Sequence, residues 1–551
     1  MPVLLPAFLG LCFCQLISGD VSENDTVVVT SSGSIKGMRV LTRSGAVDAY
    51  LGIPYAEPPV GKLRFQKPVP HQPWSHVLEA TRFGKPCHQW TSYSYPSRIW
   101  VANKPHSEDC LFLNIWVPHP QPSVSVPILV WIHGGGFIMG AGSLDLYNGS
   151  TLAATENVIV ASMNYRLGIW GFLYFPPEAP GNMGLWDQYL ALNWLKENAA
   201  VFGGDADKLT LIGHSAGAAS VGFHLLSPIS QSLFDRAVLQ SGAPNAPWAL
   251  MPPEKIQERT INLIHLLNCR KQNDSATMRC LQNKEADVFV KFRFFRFPTY
   301  DGHFLPEDPK RLLQKGDIPA KSLLIGITRE DGTVFIPQVL NNRNRTWEEA
   351  LSDIDIILQR QFEKDIVKAI ALKYSEVNQR GPNLNRQFLA HFSRDHSFLC
   401  PLIEVAARMV AANGSVYVYS FSHQISTSIW QEWMGAAHGV EVPFVFGTLS
   451  SLPGLNQSDA EADRVLSQRM MHYWAQFARR IPPNSRPAKF NGHVTMLLNK
   501  TSTTSALRHL KSCSFCHLNS AVFWKPMFIT QQELMQSKEI RPNQIQPLIR
   551  I

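Results

Sequence analysis

"FGGDADKLTLIGHSAG", residues 202–217, sets one serine between two glycines. At ordinary Gly and Ser frequencies, a Gly-x-Ser-x-Gly pentapeptide arises by chance in about one chain of this length in five. The flanks therefore carry the reading. Upstream, residues 209–212 form a short apolar run with β-branched content, which predicts a buried strand. Downstream, "AGAASVGFHLLSP" is rich in small residues and stops at Pro228, which predicts a helix with a close-packed start. Strand, Gly-x-Ser-x-Gly, helix is the context of a nucleophile elbow. A β-carbon at Gly213 or Gly217 would collide with neighbouring chain in so tight a turn. Ser215 would then stand at the end of a sheet, beside a helix N-terminus that favours negative charge.

Working outward, "VPILVWIHGGG" reads as a buried strand running into a glycine loop, and "NVIVASMNYR" as a second buried strand. "WDQYLALNWLKENAAVF" has helical spacing at Leu190, Trp194 and Leu195, while "SLLIGIT" and "SVYVYSFSH" read as later strands. Residues 26–53 suggest β-hairpins. The alternation predicts an α/β fold: a large, mostly parallel central sheet with helices on both faces. No internal repeat or low-complexity linker divides the chain, so one large domain over residues 20–530 is expected.

A serine hydroxyl needs a base, and the base needs an acid to orient it. On such a sheet the chain order is serine, acid, histidine. "LLIGITREDGTVF" supplies Glu330 and Asp331 after a later strand. Of the histidines that follow, His438 alone lies in a loop bracketed by glycines and dense apolar residues, "WMGAAHGVEVPFVFG". "HGGGF", residues 133–137, is a costly glycine run unless backbone must approach something closely. The amides of Gly135, Gly136 and Ala216 are candidates for a three-donor oxyanion hole.

With these residues assembled, the chain resembles the type-B carboxylesterases, and most of all their cholinesterase branch. The resemblance runs from "AYLGIPYAEPPVGKLRF" to "VFWKPM", near Met527. "FGGDADKLTLIGHSAG" fits the family's active-serine pattern, and "EDCLFLNIWVP" resembles its second signature. "GAASVGFHLLSP", "AVLQSGAPNAPWAL" and "EWMGAAHGVEVPFVFG" also resemble cholinesterases. It implies an α/β-hydrolase fold and a triad of Ser215, an acid and His438. Alignment on "EDGTVF" puts the acid at Asp331, where the family usually has Glu; Glu330 is the other candidate. The resemblance implies disulfides Cys87–Cys110, Cys269–Cys280, and Cys400 with Cys513 or Cys516. It implies a substrate-binding gorge lined by Trp100, Trp248, Phe335, Phe398 and Trp433.

Three features depart from cholinesterases. His214 precedes the serine where they carry Glu. "CHQWTSYSYPSRIW" is shorter and holds no acidic residue, so a rim aspartate is missing. "VKFRFFRFPTYDGHF" is shorter and basic where the acyl-pocket loop should lie. Residues 531–551 read as a C-terminal tail without the helix through which cholinesterases tetramerise, so a monomer or dimer is expected.

The 551 residues carry a net charge of +8 without a dense Lys/Arg block, which argues against nucleic-acid partners. No window of about 18 uninterrupted apolar residues argues for a membrane span. The apolar, uncharged residues 1–19 read as a secretory signal peptide. Seven sequons begin at Asn24, Asn148, Asn273, Asn344, Asn413, Asn456 and Asn499 and suggest a secreted glycoprotein. Removing residues 1–19 leaves seven cysteines, an odd number, so at least one is left over. "CSFCH" formally matches a haem attachment site, but it is a lone motif and one of its cysteines is claimed by Cys400. There is no HExxH and no second cysteine pair at metal spacing, so neither cofactor nor metal is expected. The expectation is a secreted serine esterase acting on small-molecule carboxylic esters. The alternatives are a cholinesterase and a catalytically dead, cholinesterase-like binding or adhesion ectodomain.

Overall fold

The computed structural model describes residues 26–480 and 494–497, apart from 92–96, 103, 293–294, 296, 337–345, 378–383, 426–429 and 455–459. The signal-peptide reading, the C-terminal tail, Cys513, Cys516, and the sequons at Asn24, Asn344, Asn456 and Asn499 lie outside the described residues.

Ten strands make the central sheet: β1 (Met38–Thr42), β2 (Gly45–Pro54), β3 (Phe112–His119), β4 (Val126–Ile132), β5 (Ile159–Met163), β6 (Gly204–His214), β7 (Arg236–Gln240), β8 (Ser322–Thr328), β9 (Ser415–Phe421) and β10 (Val494–Leu497). Their spatial order is β10-β9-β8-β7-β6-β4-β5-β3-β2-β1. The central run from β9 to β5 is parallel throughout. Both margins are antiparallel, through β3, β2 and β1 on one side and β10 on the other. The sheet is thus mixed, with its parallel part in the middle.

The central strands lack a polar face because both faces are covered. Along β4, Ile128, Val130 and Ile132 join one core, while Leu129 and Trp131 join the other. The same two-residue alternation sends Leu323, Ile325 and Ile327 of β8 to the first core and Leu324 to the second. Helices Met183–Asn198, Ala216–Leu226 and Cys400–Ala411 cover the first face. Helices Ser150–Glu156, Val442–Phe446 and Ala460–Ala478 contribute to the second. A buried ion pair fixes one connection: Arg166 Nη2 lies 2.7 Å from Asp187 Oδ1, and Asp187 Oδ2 accepts from the Arg166 amide at 3.0 Å.

Cys87–Cys110 and Cys269–Cys280 are disulfides, and Cys400 is also disulfide-bonded. Asn273 and Asn413 are exposed. Asn148 is half-buried, its side-chain oxygen accepting from the Ser150 amide at 3.0 Å. No helix among the described residues is long and apolar enough to cross a membrane.

Candidate active site

Strand β6 ends at His214, and helix Ala216–Leu226 begins two residues later, so Ser215 alone makes the turn. Its φ is 57° and ψ is −122°, a conformation that costs a side-chain-bearing residue energy. Surrounding structure holds it there. The Ser215 amide donates to Gln240 O at 2.8 Å, and Ser215 O accepts from the Ala219 amide at 3.0 Å. Added β-carbons at Gly213, Gly217 and Gly242 would strike backbone of Gly217, Ile132 and Ser215 respectively. The elbow is therefore closed by three approaches that only glycine permits.

The glycine loop leaves β4 and passes directly beside this turn. A β-carbon on Gly134 would come within 3.1 Å of Ser215 Cβ and 2.6 Å of His214 O. Gly135 and Gly136 have φ of 106° and 61°. His133 braces the loop from below, with its Nδ1 2.8 Å from Gly134 O and its own carbonyl accepting from Tyr165 Oη at 2.9 Å. Gln89 holds the far end through paired bonds to Gly140 N and O, both 2.9 Å. Burial lowers the His133 imidazole to a pKa of about 4.

Asp331 follows β8 and is fully buried. Its Oδ1 lies 2.7 Å from His438 Nδ1, and its Oδ2 accepts from the Thr328 amide at 3.2 Å. Glu330 points elsewhere. Its Oε2 accepts from the Ala436 amide at 2.9 Å, and its own amide donates to Ala436 O at 3.1 Å. Burial raises the Glu330 carboxyl above its usual range. The neighbouring carboxylates thus divide their contacts: one meets the imidazole, the other pins the loop two residues before it.

Aromatic rings surround His438 in two groups. Phe335 and Phe398 each lie 4.9 Å from the His438 ring and 5.2 Å from one another. Trp248 extends this group, 5.8 Å from Phe398, and its Nε1 donates to Ser397 O at 2.8 Å. A π-helical turn, Asp395–Leu399, carries Phe398; its extra residue per turn changes which way the side chain faces. The second group is Trp100 and His214, whose rings lie 6.5 Å apart and 19° from parallel. Trp100 is 6.2 Å and His214 4.4 Å from the His438 ring. Trp433, the fifth expected gorge residue, has Arg386 over its face at 3.9 Å and packs against the helices of residues 347–392.

Two groups escaped the sequence reading. Glu441 is fully buried, accepting from Gln240 Nε2 at 3.2 Å and Tyr419 Oη at 3.5 Å, while Oε2 has no hydrogen-bond partner among the described residues. Burial, then the nearby Asp331 charge, raises its carboxyl to a pKa of about 8. Its signal was a lone acid inside "HGVEVPFVFG". The sequence marks His214 as the residue before the serine, where cholinesterases carry Glu, but not its burial. That burial, and secondarily His438, holds its pKa well below the ordinary histidine value, so the ring is neutral at physiological pH.

The fold and elbow define the class, an α/β-hydrolase. A carboxylesterase family model matches residues 24–515, and the chain belongs to that family. It is 41% identical over 520 residues to an acetylcholinesterase of Bungarus fasciatus, covering 89% of this chain and 85% of that protein. It is 36% identical over 553 residues to a cholinesterase of Mus musculus, covering 94% and 89% respectively. Membership supports carboxylic ester hydrolysis and small-molecule ester substrates.

Proposed function

We propose that this protein is a secreted serine esterase that hydrolyses neutral carboxylic esters through an acyl-enzyme. The observation that carries this reading is the buried Asp331–His438 pair, 2.7 Å between Oδ1 and Nδ1, with His214, the residue before the positive-φ serine, 4.4 Å from the His438 ring. Ser215 Oγ attacks the ester carbonyl carbon as its proton passes to His438 Nε2. Asp331 holds Nδ1–H and stabilises the imidazolium. The amides of Gly135, Gly136 and Ala216 receive the oxyanion, and the helix that starts at Ala216 adds its dipole. Collapse breaks the ester C–O bond, and the leaving alkoxide takes the proton from His438. Water, deprotonated by the same imidazole, then releases the acid.

Retention of the serine, acid, histidine and glycine loop argues against a dead binding ectodomain. Secretion is supported by the apolar residues 1–19, the disulfides and the sequons. A cholinesterase is the second reading, favoured by Trp100 beside His438 and by the two cholinesterase relatives. The departures at His214 and the missing rim acid favour the general esterase. Turnover of a neutral aryl ester against a thiocholine ester decides: a clear neutral-ester preference is expected, and no turnover of either ends the esterase assignment.

A further inference from the structure

A small cavity lies against the Cys87–Cys110 disulfide, with no triad residue in its wall. It has room for one particle the size of a water or a chloride ion, about 10 Å³. Arg64, His88, Glu108, Arg166 and Trp170 are the polar members of its wall. Two donors among them are unmet. Arg166 is 3% exposed, and its Nε and Nη2 donate to Asp187 at 2.8 and 2.7 Å, but Nη1 has no partner among the described residues. Asp187 takes the Nε–Nη2 edge of the guanidinium, so Nη1 faces away from that carboxylate. Trp170 is 5% exposed, with His88 stacked 5.3 Å from its ring, and its Nε1 has no partner among the described residues either. A guanidinium and an indole N–H can only donate. Buried donors are paired as a rule, and an unpaired one weakens the state that contains it. Two such side chains share the wall of one cavity here.

The hydrogen-bond demand of the wall selects the occupant. A water brings two protons that need acceptors of their own. The wall oxygens are already engaged. Glu108 accepts from Arg64 through both oxygens, at 2.6 and 2.5 Å, while Cys87 O accepts from Gln89 and Cys110 O from Asn164. Arg64 Nη1 donates to the carbonyls of Gln282 and Lys284, so Arg64 brings positive charge to the cavity and offsets Glu108. An anion brings no protons and accepts from both unmet donors at once. We propose that this cavity binds a single small anion, chloride in ordinary solution, held by Arg166 Nη1 and Trp170 Nε1. His88 and Glu108 are half-buried, so the wall reaches the surface on their side. The anion ties Arg166 to the short helix Gly168–Phe172, whose first amide donates to Phe137 O in the glycine loop at 2.7 Å. The site therefore stabilises the scaffold behind that loop and takes no part in ester chemistry.

The test is thermal unfolding of the whole protein in sodium chloride, with ionic strength held constant by sodium gluconate, whose anion is too large for the cavity. A ligand bound only by the folded chain raises the melting temperature with the logarithm of its concentration. For a chain of this size the rise should be about 1 °C per tenfold chloride once the site begins to fill. Trp170→Phe keeps a ring against His88 and removes one donor, so about tenfold or more chloride should be needed for the same rise. Crystals grown in sodium bromide should show an anomalous peak within hydrogen-bonding reach of Arg166 Nη1 and Trp170 Nε1. Equal melting temperatures in chloride and gluconate, or a chloride effect unchanged in Trp170→Phe, overturn the proposal. So does a cavity that holds a water, or nothing, in the bromide crystals. If Trp170→Phe does not fold, the chloride titration and the bromide crystals of the unmutated protein still decide.

Discussion

Asp331 Oδ1 meets His438 Nδ1 at 2.7 Å while Glu330, one residue earlier, holds the Ala436 amide at 2.9 Å. The contacts predict opposite mutational outcomes. Asp331→Asn keeps the shape but presents an amide to Nδ1, favouring the wrong tautomer, and should lower kcat by about 10^4-fold. Glu330→Gln keeps an acceptor for Ala436 and should cost little activity. Glu330→Ala should lower thermal stability, since the Ala436 amide loses its partner. Steady-state kinetics and melting curves on the three variants check this, and the reverse ranking in kcat would transfer the triad role to Glu330.

An organophosphate should label Ser215 covalently, one equivalent per chain, and Ser215→Ala should abolish labelling while losing several orders of magnitude in rate. Peptide mapping of the adduct locates the modified residue. A label on another serine, or an alanine variant retaining normal turnover, would remove Ser215 from the reaction.

The glycines around Ser215 made the elbow readable, because a strained turn admits few residue types and repeats them at fixed spacing. The strands were readable because burial on both faces leaves unbroken apolar runs such as "ILVWI". Their edges were not: β6 extends back to Gly204 through a stretch carrying Asp205, Asp207 and Lys208, beyond the apolar run. Nor did the apolar runs reveal that the sheet margins are antiparallel, which depends on how distant segments pair. The division of labour between Glu330 and Asp331 depends on where the 435–438 loop lies, a tertiary fact. The lowered pKa of His214 has the same origin, since it arises only when Trp100, His438 and two glycines close around the imidazole.

Glu441 predicts a pH dependence of stability. Its carboxyl rises from 4.5 to about 8 in the folded protein, because burial and the nearby Asp331 disfavour the anion. Below 4.5 folded and unfolded chains both hold this proton, and Glu441 contributes no pH dependence there. As pH rises from 4.5 towards 8, the folded state binds the proton that the unfolded state has released, so this residue lowers stability progressively. Above 8 the loss is complete. Glu441→Gln keeps an acceptor for Gln240 and Tyr419 without the titration. Its melting temperature relative to the unmutated protein should therefore climb between pH 5 and pH 9, by the equivalent of a few kcal/mol. A difference that stays flat over this range would mean that Glu441 is ionised throughout.

Choline preference turns on the charge beside Trp100. A tryptophan face attracts a quaternary ammonium by about 0.5–2 kcal/mol, at most some thirtyfold in binding. His214, next to it, is neutral and adds no negative charge. The net charge of +8 gives no general attraction for cations. Choline esters should therefore be turned over weakly and with little selectivity against an isosteric neutral ester, such as one of 3,3-dimethylbutanol. His214→Glu should raise that selectivity. Burial opposes ionisation of the new carboxyl, so the gain should grow as pH rises through the carboxyl's elevated pKa. Paired kcat/KM values for the two esters, from pH 6 to pH 9, measure it. An unmutated protein that already prefers the choline ester a hundredfold or more would replace the general-esterase assignment with the cholinesterase one, because Trp100 alone does not supply that much.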